Sequence, residues 1–164
     1  MAFHDISGEY VNPVLQVVFK KKTTQVSYSN ASAQDYTVLN SDSVTLTSGT
    51  SLLCIANYHW WMQDDDNTTS FQGRQYLQYA LNGSGTWGDA RAAGTATFEN
   101  SSAGNLNNRG EVTTLNALLT HGQSTGTTIK FRILHSSVHP SSCDLLVFQR
   151  NSNETNMTIM EIGA

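Results

Sequence analysis

Three clusters in the chain carry residue types that could do chemistry. Asp64-Asp65-Asp66-Asn67-Thr68 sets oxygen donors at alternating positions, as a calcium loop does. It lacks the glycine and the bidentate glutamate of an EF-hand, and a hard cation takes six or more oxygens, so a solvated acidic loop is expected. His135, His139 and Cys143 recur every four residues. On a helix that spacing would share a face and could hold zinc. Here Ser136-Ser137 and Pro140-Ser141-Ser142 lie between them and no fourth ligand is evident, so they read as polar loop residues. Tyr58, Trp60 and Trp61 lie just ahead of Asp64 and Asp66. Aromatic faces followed by carboxylates would suit a sugar-binding platform at Trp61, Asp64 and Asp66. The competing reading is packing, since aromatics are equally enriched in cores and subunit interfaces. A Ser–His–Asp relay assembles across a fold and leaves no fixed spacing. Gly122-Gln123-Ser124-Thr125-Gly126 and Gly83-Ser84-Gly85-Thr86-Trp87-Gly88 match the strings of a nucleophile elbow and a phosphate-binding loop, but both lie in turns between strands with no helix after them, so no enzyme, cofactor or metal is expected.

The elements that would position these residues are strands. The last forty residues contain three apolar runs, Thr128 to Leu134, Asp144 to Arg150 and Met157 to Ile162. In the first, Ile129, Phe131 and Ile133 alternate with Lys130 and Arg132, giving one apolar and one charged face. In the last, Met157 and Ile159 fall on one side, Met160 and Ile162 on the other. A strand apolar on both faces belongs inside a packed structure or at a subunit interface. The longest apolar run, Leu52 to Met62, has the same property. Leu53, Ile55, Asn57, His59 and Trp61 share one face; Leu52, Cys54, Ala56, Tyr58 and Trp60 share the other.

Earlier in the chain, Val14 to Phe19 and Gln25 to Tyr28 read as strands. Tyr36 to Leu39 and Ser43 to Leu46 read as a pair around an Asn40-Ser41-Asp42 turn. Gln75 to Leu81 ends in Asn82-Gly83, a strong hairpin signal, with Thr86 to Arg91 after it. Thr95 to Glu99 and Glu111 to Thr120 follow, separated by a polar loop from Asn100 to Gly110. About ten short strands at regular spacing, with no convincing helix, predict an all-β antiparallel jelly-roll sandwich. Residues 1–13 are aperiodic and read as a short N-terminal arm; residues 14–164 make one domain.

With 164 residues the chain can bury a core without staples. Charged residues make up 13%, about half the usual ~25%, and Ser, Thr, Asn and Gly take their place. At a net charge of −4, with no basic stripe beyond Lys20-Lys21-Lys22, nucleic-acid binding is not expected. No apolar run reaches the roughly 18 residues of a membrane span. The N-terminus lacks a basic region followed by an apolar one, so no secretory leader is expected. The Asn-x-Ser/Thr sequons at Asn30, Asn67, Asn82, Asn100, Asn153 and Asn156 then follow from composition. Cys54 and Cys143 read as two buried free thiols.

From Leu52 onward the pattern resembles the trimeric jelly-roll heads of the C1q/tumour-necrosis-factor type, in the form found in bacteriophage virion proteins. The matching stretches are Leu-Leu-Cys-Ile-Ala (52–56), Tyr-Ala-Leu-Asn-Gly (79–83), Ala117 to Phe131 and Met-Thr-Ile-Met-Glu-Ile (157–162). The resemblance implies that the Leu52 run and the last strand lie side by side on the inner sheet, next to a threefold axis. It thereby implies a homotrimer with Tyr58, Trp60, Met157, Ile159 and Met160 at the subunit interface. Residues 1–13 are too short for a coiled-coil or collagenous stalk and carry no heptad pattern, so a head without a stalk is expected. That departure favours a capsid decoration, or cement, protein bound on the virion surface to the major capsid protein or another virion protein. The alternative is the receptor- or carbohydrate-binding head of a tail fibre.

Overall fold

The computed structural model describes residues 3–4, 10–11, 13–31, 34–48, 51–64, 71–98, 107–137 and 143–163. Two antiparallel sheets face each other, forming the expected all-β jelly-roll sandwich. A separate two-stranded pair, Phe3–His4 (β1) with Tyr10–Val11 (β2), lies within the arm.

The first sheet is built on Ser51–Asp64 (β7), which grows from the Leu52 run. Fourteen extended residues span roughly 45 Å. Asn107–Thr120 (β10) pairs with one edge along its whole length, from Asn107 opposite Asp64 to Thr120 opposite Ser51. Two shorter strands share the other edge end to end. Thr155–Ile162 (β13) pairs with residues 51–57, and Cys143–Phe148 (β12) pairs with residues 60–63. A jog separates them. Gln149 adopts left-handed backbone just ahead of a single 3-10 turn at Arg150–Ser152, and Asn151 does so within it (φ 56° each). The Gln149 amide donates to the His59 carbonyl at 3.2 Å, and its Nε2 to Thr155 Oγ1 at 2.6 Å. The chain therefore leaves the β7 edge and rejoins it in the same direction. Val14–Lys22 (β3) flanks β13, and Val26–Ala31 (β4) flanks β12.

The second sheet centres on Thr128–Ser137 (β11) and Phe71–Leu81 (β8), with Gly88–Phe98 (β9) beyond β8. The hairpin from β8 to β9 turns at Asn82 and Gly83, both at positive φ (48° and 69°), as the Asn-Gly signal predicts. Gly88 to Arg91 of the first expected run and Thr95 to Phe98 of the second belong to one strand, β9. Asp35–Asn40 (β5) and Val44–Thr45 (β6) were expected to pair with each other and do not. Both pair with the same edge of β11, β5 at residues 132–136 and β6 at residues 128–129. The Ser41 amide donates to the Phe131 carbonyl and the Phe131 amide to Ser41 Oγ, each at 2.9 Å. The residues that look like a turn are a bridge along β11.

The core lies between the sheets. Leu52, Cys54, Ala56, Tyr58 and Trp60 of β7 point inward, meeting Ile129, Phe131 and Ile133 of β11 in one buried cluster. An aromatic group joins the sheets at one end. His135 of β11 lies 5.6 Å from the Trp60 ring, 5.4 Å from Phe148 and 6.4 Å from Tyr58, centroid to centroid. Tyr36 and Tyr28 continue the group from the two sheets, 4.6 Å apart. Elsewhere, Glu161 ties β13 to the segment after β6. Its carboxylate accepts from the Thr47 amide and hydroxyl, both at 2.9 Å, and from Gln16 Nε2.

Candidate functional site: the outer face of the first sheet

The residues expected at a subunit interface divide between two faces. Tyr58, Trp60, Met157 and Ile159 are all buried inside the sandwich by their own chain. Of the five, Met160 lies on the outer face, half-buried. Both faces of β7 and β13 are apolar, so alternation gives two sets of residues but not which set turns inward. The strands do lie side by side, as the resemblance implied.

Register builds the outer face in rows across four strands. Leu118, Leu53, Met160 and Val17 stand opposite one another across β10, β7, β13 and β3. Asn116, Ile55, Thr158 and Phe19 form the next row. Val14 faces Ile162 at the β3 end, beside a register shift. The edge positions are open: Val17 is 57% exposed, Phe19 54% and Leu118 65%. On β3, Val17 and Phe19 point out while Val18 packs against the core, which is why Val14 to Phe19 is apolar on both sides.

A polar row bounds this patch. Thr114 Oγ1 donates to Asn57 Oδ1 at 2.6 Å, and Asn57 Nδ2 to Asn156 Oδ1 at 3.2 Å. Asn156 Nδ2 then donates to Glu154 Oε1 at 3.1 Å, and Lys21 pairs with the same carboxyl group at 3.6 Å. Three hydrogen bonds and an ion pair thus run from β10 across to β3. Beyond it, Val112 is 70% exposed opposite His59. Burial, and then the charge of Arg150, hold the His59 pKa below its usual value.

The proposed sugar platform is not assembled as an open surface at Trp61. The indole is buried, and the Arg150 guanidinium covers it at 3.7 Å from the ring centroid. Asp64 ends β7 opposite Asn107, and Asp66 with the rest of the acidic loop lies outside the described residues. Among the described residues, no three His, Cys, Asp or Glu side chains gather to hold a metal. His139 lies outside the described residues. His135, read from sequence as a loop residue, is a core residue of β11: burial pushes its pKa down to about 4. Its position was legible, since it continues the inward phase of Ile129, Phe131 and Ile133. Cys54 is a buried free thiol. Backbone register also separates the two cysteines: β12 meets β7 at Gln63, nine residues and roughly 30 Å along the strand from Cys54.

No protein-family model matches the chain, and no curated protein matches it. Among solved structures, the chain is similar to Eiger TNF from S. frugiperda, with 9% identity over 93% of this chain and 96% of that one, at a TM-score of 0.42. It is also similar to the EclA C-terminal domain, a sugar-binding protein, with 11% identity over 94% and 88% of the two chains and a TM-score of 0.35. A third similarity is to infectious bursal disease virus, Gx strain, at 16% identity and a TM-score of 0.34; it covers 98% of this chain but 41% of the viral one.

Proposed function

We infer that the chain is a non-catalytic structural subunit of a virus particle. It self-associates through the outer face of the first sheet as a homotrimer that decorates and cements a bacteriophage head. The observation that carries the self-association is the apolar field formed by Val17, Phe19, Leu53, Ile55, Leu118 and Met160. Soluble monomers rarely expose contiguous apolar patches above a few hundred Å². This one spans four strands and stops at a hydrogen-bonded polar row, the arrangement of an apolar interface centre with a polar rim. The placement on a phage head follows the sequence resemblance. Three attachment points per trimer would add avidity on a capsid lattice without strong single contacts. The partner is then the major capsid protein or another virion protein.

Light scattering on the purified full chain tests the assembly. A native mass of three chains is expected. Phe19→Asp should lower that mass while the far-ultraviolet circular dichroism is unchanged. A wild-type mass of one chain would overturn the self-association. Immunogold labelling of purified particles tests the location, and label confined to tail fibres would overturn the head assignment.

A further inference from the structure

Past the polar row, the outer face of the first sheet ends in a corner that the apolar field does not use. His59 and Trp61 stand two residues apart on β7 and so share this face. Opposite them on β10 are Val112 and Gly110. Gly110 makes room for the indole: a Cβ there would lie 2.9 Å from Trp61 Cδ1. The Arg150 guanidinium covers the same ring, 3.7 Å from its centroid. The jog brings it there, because the Gln149 amide is bonded to the His59 carbonyl and Arg150 comes next.

Stacking on an aromatic ring uses the face of a guanidinium and leaves the N–H groups along its edge available. Arg150 is half-buried, and among the described residues it makes no ion pair. Glu154, in the polar row, is already held by Asn156 and Lys21. A partly desolvated cation without a counter-charge is uncompensated. His59 adds a neutral donor beside it. Its Nδ1 is buried with no hydrogen-bond partner among the described residues, which leaves Nε2 as the accessible nitrogen. An orphaned lone pair is tolerated more readily than an orphaned N–H, so the ring proton belongs on Nε2. Burial, and then the charge of Arg150, oppose a second proton.

The charge count selects the ligand. One fixed positive charge and one neutral donor match a single negative charge, and two coplanar oxygens fit the edge of a guanidinium. A phosphate dianion would be only half neutralised. We propose that Arg150 and His59, on the Trp61 floor, form a recognition site for one carboxylate group. The guanidinium edge and His59 Nε2 donate to its oxygens. An acidic side chain of a second copy supplies it. The corner shares its face with the apolar field, and 13 acidic residues against 9 basic ones leave the chain with carboxylates to spare. That source rests on the self-association inferred above; the site itself does not.

The test follows the Trp61 indole resonance in the ¹⁵N-labelled full chain, assigned through Trp61→Phe. Sodium acetate is the probe, at an ionic strength held constant with sodium chloride. In Phe19→Asp, where the face is uncovered, acetate should shift the signal saturably, with a Kd on the order of 10 mM. Adding Arg150→Gln should weaken binding at least about tenfold with unchanged circular dichroism. Adding Gly110→Ala instead, which displaces Trp61, should weaken it too. In wild type the response should be suppressed, because a neighbour's carboxylate already holds the site. An equal response in wild type and Phe19→Asp, with a wild-type mass of three chains, would overturn the second copy as the source. A wild-type mass of one chain would overturn the self-association, and the acetate shift is then read on wild type directly. No saturable shift with acetate, undiminished binding after Arg150→Gln, or tighter binding of inorganic phosphate would overturn the site.

Discussion

The Tyr58 hydroxyl lies 3.3 Å from His135 Nδ1, a polar contact between the two sheets inside an otherwise aromatic cluster. His135 is fully buried, and its Nε2 has no hydrogen-bond partner among the described residues. A charged imidazolium there would have little to replace its lost hydration. Burial accordingly pushes the pKa from 6.5 down to about 4.

Stability should therefore fall in acid. Below pH 6.5 the unfolded chain takes up a proton at His135 that the folded chain refuses until about pH 4. The unfolded state binds more protons in that window, so stability rises with pH across it and falls as pH drops. The expected loss is about 3 kcal/mol between pH 6.5 and 4, read from urea midpoints. His135→Phe should cost about 1 kcal/mol at pH 7 through the Tyr58 contact and make the acid decline shallower. An equally steep decline in that variant would place the sensitivity elsewhere.

Glu161 is the charged counterpart of this contact. It is completely buried, yet its carboxylate gathers the Thr47 amide, the Thr47 hydroxyl and the Gln16 side-chain amide. Gln16 Nε2 also reaches the Thr45 carbonyl at 2.7 Å, so the arrangement links β3, β13 and the β6 segment. Glu161→Gln turns an amide donor toward the donors that the carboxylate now accepts from. It should cost about 2 kcal/mol, and Glu161→Ala more, because the part-buried Thr47 donors lose their acceptor and a fully buried side chain is removed. Chemical denaturation at neutral pH measures both. A neutral effect for Glu161→Ala would mean that water replaces the carboxylate without penalty.

Cys54 should behave as a silent thiol. It sits near the start of β7, completely buried, and burial raises its pKa to about 12. Thiolate is the reactive form, so both access and ionisation oppose attack. In a Cys143→Ser background, native protein at pH 8 should resist iodoacetamide and react fully once unfolded in urea. Because β7 is paired along both edges, the native labelling rate should track global rather than local opening. Rapid native labelling would show that the first sheet opens on its own.

Much of this fold was legible from alternation alone. Ile129, Phe131 and Ile133 were placed inward, and the turn at Asn82-Gly83 was found where left-handed backbone is needed. The β5–β6 pairing was misread because Asn40-Ser41-Asp42 has turn composition. Its hydrogen bonds go instead to Phe131, ninety residues away from Ser41, a partner no local pattern reveals. Trp61 looked available because it ends an aromatic run, but Arg150 reaches it only through the jog after β12. Trp87 drew no notice, although it stands beside the hairpin signal. Its stacking partner, Arg132, comes from a distant strand.

The two-faced strand β13 gives the sharpest separation of fold from assembly, because adjacent residues should have opposite effects. Ile159 points into the core and is 1% exposed, opposite Cys54. Ile159→Ala removes buried apolar volume and should cost about 3 kcal/mol in unfolding. Met160 points outward between Leu53 and Val17. Met160→Asp puts a charge into the apolar field, where a partner would have to bury it unpaired. It should shift the chain toward a single-chain mass in light scattering, with unfolding of that monomer little changed. Should Met160→Asp leave a three-chain mass intact, the outer face would not be the contact, and the self-association would have to use a sheet edge instead.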